Sequence, residues 1–170
     1  DPQAAEPNTL PVELMGSLML YFFERCGESL PQELRGAFET ALKAVYDSRF
    51  YDRPLAEYGH HEAKYTAAKL LLGAFYSDGE LMEDGRRSLK ALLERLNERG
   101  MHEYGSQPWF WHWVQAFTCA RLLLDDAEVT EDLNAMLDFL WRERSLHYLG
   151  GAWAGPHARA LASDSPKDRN

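Results

Sequence analysis

Apolar residues along this chain recur at helical spacing. Leu34, Ala37, Phe38, Ala41, Leu42 and Val45 fall at intervals of three and four, which aligns them on one face of a helix. Ser29 precedes Gln32 by three residues with Pro31 between them, an N-terminal capping signature. A second amphipathic helix is expected from about Glu80 to Arg99. Its buried face carries Leu89, Leu92, Leu93 and Leu96, Gly100 is its stop, and Ser77 with Glu80 offers a capping box. A third uses Val129, Leu133, Met136, Leu137, Leu140 and Trp141, with charges on the other side.

Between these lie segments of another kind. Val12 to Cys26, Glu62 to Tyr76 and Pro108 to Leu124 are apolar on most sides, and a helix apolar nearly all round is a buried one. Buried helices are expected to begin near Pro11, His61, Gln107 and Pro156, about 48 residues apart. Each period is one helical hairpin with a buried arm and an amphipathic arm. A single hairpin cannot bury its own apolar face, so hairpins of this size imply a helical array or ring. The pattern predicts an all-α fold of repeated hairpins over residues 11–164, a flexible segment over 1–10 and a flexible tail over 165–170. No strand is expected, and Gly150-Gly151-Ala152-Trp153 reads as a loop.

Charge narrows the function. The chain has 27 acidic against 18 basic residues and a net charge of −9, which argues against a nucleic-acid partner because nothing neutralises a run of phosphates. Leu14 to Phe23 is the longest nearly apolar run, too short to span a membrane. No secretory signal is read at the N-terminus, so a cytoplasmic location is expected, and an opening on Asp1-Pro2-Gln3 suggests a processed or trimmed chain. Cys26 and Cys119 form no CxxC or metal spacing and read as buried free thiols. His60, His61, Glu103, His112 and His157 are potential zinc ligands by type. No local ligand pair such as HExxH accompanies them, and no metal or other cofactor is expected.

The unusual residues gather where buried helices begin, where free backbone N–H groups and the positive dipole end point. Tyr58-Gly59-His60-His61-Glu62 opens the second, with Tyr65 one turn in. His102-Glu103-Tyr104-Gly105-Ser106-Gln107-Pro108-Trp109 opens the third, with His112 just inside. Trp153-Ala154-Gly155-Pro156-His157-Ala158-Arg159 opens the fourth, with Asp164 beyond. In a ring these junctions converge on one end of a central cavity. Glu103 supplies a carboxylate there, Tyr65 and Tyr104 supply phenols, and Arg159 supplies a cation. Trp109, Trp111 and Trp153 supply flat walls that suit a sugar ring. Each residue also has a plainer role: Glu103 as a helix cap, His112 and the tryptophans as core, Arg159 as an ion-pair partner of Glu103 or Asp164. His147 at a helix end complements the dipole.

The last two junctions resemble a known pattern. Glu103-Tyr104-Gly105-Ser106-Gln107-Pro108-Trp109 is similar to a Glu-Tyr/Phe-Asn-Ser-Pro-Thr-Tyr segment. Gly155-Pro156-His157-Ala158-Arg159 with trailing Asp164 is similar to a Gly-Pro-Tyr/His-x-Arg segment. Both occur in bacterial and fungal proteins that resemble (α/α) toroids, related in architecture to six-hairpin glycosidases and heparinase-type polysaccharide lyases. Gly105, Gln107 and Trp109 depart from the pattern, whereas Glu103, Ser106, Pro156, His157, Arg159 and Asp164 match it. The resemblance implies a carbohydrate-active enzyme. As a hydrolase, Glu103 is its general acid and Asp164 a second carboxylate. As a lyase, Tyr104 or His157 removes a proton beside a carboxylate that Arg159 neutralises. From their place at the junctions, His60, His61, Tyr65, Ser106, Trp109, His112 and Trp153 are the residues expected to bind a small-molecule or saccharide ligand. The alternatives are a non-enzymatic repeat module that binds a ligand or partner, and an enzyme for terpenoid or other apolar molecules in a helical barrel. A closed ring of six hairpins would need roughly 300 residues at this spacing. The 170 residues therefore predict a partial toroid completed by a second chain or further copy.

Overall fold

The computed structural model describes residues 10–101 and 107–155, with only the backbone described over 10–15 and 107–108. Six helices follow one another: α1 (Leu10–Cys26), α2 (Gln32–Ser48), α3 (His60–Phe75), α4 (Gly79–Arg99), α5 (Gln107–Leu123) and α6 (Ala127–Leu146). Among the described residues the fold is all-α apart from one small hairpin. The three buried helices begin where the hydrophobic pattern places them; the fourth, at Pro156, lies outside the described residues.

α1, α3 and α5 pack on one another and run in the same direction. Near their C-terminal ends, Phe23 meets Phe75 edge-on at 6.1 Å, and Arg25 donates to the Leu122 carbonyl at 3.0 Å. At the other end, His60 of α3 meets Trp109 of α5. α4 and α6 return antiparallel, each against the helix before it, and pair through Arg86 with Asp126 and Lys90 with Glu128. α2 packs chiefly on α1. The core is therefore centred on α3, which is buried from Glu62 to Gly73. α3 and α4 approach closely at Gly85, where a Cβ would stand 2.9 Å from the Leu70 nitrogen. No helix among the described residues is long and apolar enough to cross a membrane.

Several local expectations are corrected. Ser29 does not cap α2; its hydroxyl donates to the Cys26 carbonyl, finishing a 3₁₀ turn over Gly27–Ser29. Ser77 does not cap α4 either. Asp78 does, accepting from Leu81 N–H at 3.0 Å, while Ser77 takes a left-handed conformation at φ 54°. On α2 only Leu42 is buried, and Leu34 is exposed because the helix is covered on one side only. Trp141 is likewise exposed, since the α6 face toward the core runs Val129, Leu133, Met136, Leu140 and Arg144. The segment after α6 is not a plain loop. Tyr148–Leu149 (β1) pairs antiparallel with Ala152–Trp153 (β2), and Gly150 and Gly151 supply the two positive φ angles such a tight turn requires.

Candidate functional site

The N-terminal ends of α3 and α5 form the best-defined cluster of chemistry-bearing side chains. Tyr58 in the left-handed region and Gly59 as N-cap turn the chain into α3. The Glu62 carboxylate then fixes that entry: it accepts from the N–H groups of Ala56, of Glu57 at 2.9 Å and of Gly59 at 2.7 Å. Three donors and deep burial make Glu62 a structural anchor of the loop. What it anchors is His60.

His60 is 2% exposed and lies against three other rings. Its ring centroid lies 4.1 Å from that of His61, 4.6 Å from Trp109 and 5.2 Å from His112. Trp109 and His112, one turn apart on α5, are 5.5 Å from each other. His61 is exposed, and Trp109 and His112 are half-buried, so the cluster has a dry centre and an open rim. Imidazoles accept or donate protons near neutral pH, an indole offers a flat apolar face, and both helix dipoles direct their positive ends here. The arrangement can hold a polar molecule with an apolar face and exchange protons with it.

The other expected site residues are distributed differently. Tyr65 is buried against Phe50 at 6.0 Å with the Arg53 guanidinium over its ring, away from the imidazoles around the helix. Trp153 is buried in β2 beside His147 and under Arg144. Glu103, Tyr104, Ser106, His157, Arg159 and Asp164 lie outside the described residues. His147 caps the C-terminal end of α6, its Nδ1 2.9 Å from the Glu143 carbonyl.

Two charged residues belong to this region that the pattern did not bring forward. Lys64, 3% exposed, stands one turn after His60 on the same helical face. Arg144, 5% exposed, lies among the rings of Trp111, Phe110, Tyr148 and Trp153 at 4.9 to 5.6 Å. The only signal available for either was a charge inside an otherwise apolar face. Among the described residues no group of three or more His, Cys, Asp or Glu is placed to hold a metal ion.

Comparison with known protein families, curated proteins and solved structures finds no match to this chain.

Proposed function

We propose that the protein is a carbohydrate-active enzyme, of glycoside hydrolase or polysaccharide lyase type, built on part of an (α/α) toroid. One observation carries the reading. Residues from two separate hairpins, His60 and His61 on one side and Trp109 and His112 on the other, meet ring to ring at the N-terminal ends of two parallel buried helices. Parallel buried helices backed by antiparallel outer ones are the arrangement a toroid repeats, and its ligands bind where the inner helices begin. Imidazoles beside an indole suit a sugar, whose C–H face stacks while its hydroxyls are hydrogen-bonded. Glu103, Tyr104, His157, Arg159 and Asp164, which lie outside the described residues and which the sequence pattern assigns to the expected third and fourth junctions, are the groups proposed to carry the reaction.

The test is a thermal-shift and turnover screen of the full chain with neutral oligosaccharides, uronate oligosaccharides and prenyl compounds. A saccharide is expected to stabilise the protein, and His112→Ala and Trp109→Ala are expected to abolish that shift while leaving the fold intact. Glu103→Gln is expected to abolish turnover but not binding. Stabilisation by prenyl compounds alone, or by none of the three classes, overturns the reading.

A partner chain or further copy is part of the same proposal. Leu18 and Phe22, one turn apart on α1, and Leu122 on α5 expose large apolar side chains that a neighbouring helical layer would cover. Sedimentation of the full chain as a monomer at all concentrations would remove that part.

A further inference from the structure

The imidazole cluster occupies one end of the three parallel helices, and the other end holds a cleft. α1, α3 and α5 stop there at Cys26, Phe75 and Leu123. Between their last turns opens a space of about 160 Å³. Its floor is apolar and buried, made by Leu20 of α1, Leu71 of α3 and Leu124 just past α5. Its rim is open, with Ala74 exposed and Phe75 and Leu123 half-buried. A dry apolar space of about 150 Å³ is enough for a body the size of benzene.

Glu24 is the one polar side chain of that lining. It stands one turn after Leu20 on the same face of α1 and is exposed at the rim. Among the described residues no hydrogen bond or ion pair engages its carboxylate. The ends of three parallel helices add to its charge, each carrying about half a negative charge on its last carbonyls. Asp125, exposed and next in the chain after Leu124, is a further carboxylate. The basic groups of this end are directed elsewhere. Arg25 donates to the Leu122 carbonyl at 3.0 Å, with its guanidinium 5.7 Å from the Tyr21 centroid. Arg121 donates to Asn134 on α6 at 2.7 Å. The cleft therefore combines an apolar floor with a rim of negative charge.

We propose that this cleft binds a small organic cation, an ammonium carried on an apolar body of about six carbons. The body fills the space over Leu20, Leu71 and Leu124 and leaves water, while the ammonium meets Glu24 at the rim. Phe75 contributes an aromatic ring, which also attracts cations. A neutral molecule of the same shape would leave the carboxylate unmatched. An anion would be repelled by Glu24 and by the three helix ends. The site lies about 20 Å along α3 from His60 and does not depend on the carbohydrate reading.

Benzylammonium chloride, benzyl alcohol and sodium benzoate are titrated into the full chain at matched ionic strength and followed by amide chemical shifts. Benzylammonium is expected to give saturable shifts concentrated at residues 20–24, 71–75 and 122–124. Benzyl alcohol is expected to bind there more weakly, and benzoate not at all. Glu24 is exposed, so Glu24→Gln leaves the fold intact. It is expected to raise the benzylammonium midpoint about fivefold, the worth of one partly exposed ion pair, without moving that of the alcohol. Ala74→Leu, at the exposed rim, fills the opening and is expected to abolish the response to both. No saturable response to benzylammonium overturns the proposal, as do equal midpoints for the cation and the alcohol. So does an unchanged midpoint in Glu24→Gln, or amide shifts confined to other parts of the chain, the surroundings of His60 and Trp109 included.

Discussion

Gly73 of α3 faces the backbone of Met82 on α4 so closely that a Cβ on the glycine would stand 2.7 Å from the Met82 nitrogen. Backbone cannot swing aside as a side chain can, so a methyl group here must push the two helices apart. Alanine would favour the helix by about 1 kcal/mol, but overpacking costs about 1–3 kcal/mol, and at a backbone contact the second effect wins. Gly73→Ala is expected to lower the urea midpoint. Gly36, inside α2 with nothing within 4 Å of its would-be Cβ, should respond in the opposite sense. Gly36→Ala is expected to raise the midpoint by up to about 1 kcal/mol of stability. Equal signs for the two substitutions would show that the α3–α4 approach is looser than described.

Lys69 and Asp84 link the same two helices by charge. Burial alone would raise the Asp84 carboxyl, but hydrogen bonds and charge from Lys69 and then Arg87 outweigh it and hold the group below its ordinary value. A carboxyl depressed in the folded state contributes stability that is fully present above about pH 4 and is lost as the pH falls through the folded value. Asp84→Asn is thus expected to flatten the acid limb of a stability-against-pH curve while lowering stability at pH 7. Lys69→Met should cost about 2–3 kcal/mol, below the usual figure for a broken buried pair because Asp84 retains contact with water. An acid limb unchanged in Asp84→Asn would remove this pair from the account.

The helices were legible because their spacing is: α3 and α5 are apolar on nearly every side, and only a buried helix tolerates that. Cap identity was not. Ser77 and Asp78 are both good caps by type, and the choice of Asp78 rests on distant partners, Tyr46 Oη at 2.8 Å and Arg49 at 3.3 Å, which no local window contains. The hairpin at Gly150-Gly151 is not legible, because strands of two residues leave no alternation to read. For the site, a concentration of histidines at helix starts was readable, and His60, His61, Trp109 and His112 do meet. That Tyr65 turns toward Phe50 instead is set by its angular position on α3 and by the return of the chain at Phe50–Tyr51. Lys64 and Lys69 are not legible as buried charges, because a lysine in an apolar helix reads as a surface interruption until the neighbouring helices are in place.

Arg144 is expected to contribute as an arginine and not merely as a cation. Its guanidinium lies 4.9 Å from the Trp111 centroid and 5.0 Å from that of Phe110, with Tyr148 and Trp153 also in reach. A flat, weakly hydrated ion stacks on such rings where an ammonium cannot. Desolvated contacts of this kind are worth about 2 kcal/mol. Arg144→Lys is expected to lose at least about that much and to weaken the near-ultraviolet circular dichroism of the tryptophans around it. A lysine variant as stable as the parent, with the same aromatic signal, would show the stacking to be incidental.

The two thiols should report on packing in opposite ways. Cys119, deep in α5, is buried, and burial pushes its thiol up to about 11. Only the thiolate attacks a disulfide reagent, so at pH 8 about one Cys119 in a thousand is reactive even before access is considered. Cys26, at the end of α1, is only half-buried. With Ellman's reagent at pH 8, native protein is expected to release one equivalent quickly and the second slowly, at a rate that rises with urea as the helices open. The slow phase should belong to Cys119 and vanish in Cys119→Ala, leaving the fast phase unchanged. Two fast equivalents in the native protein would mean that α5 is not sealed between α1, α3 and α6, and the layered packing of the buried helices would have to be redrawn.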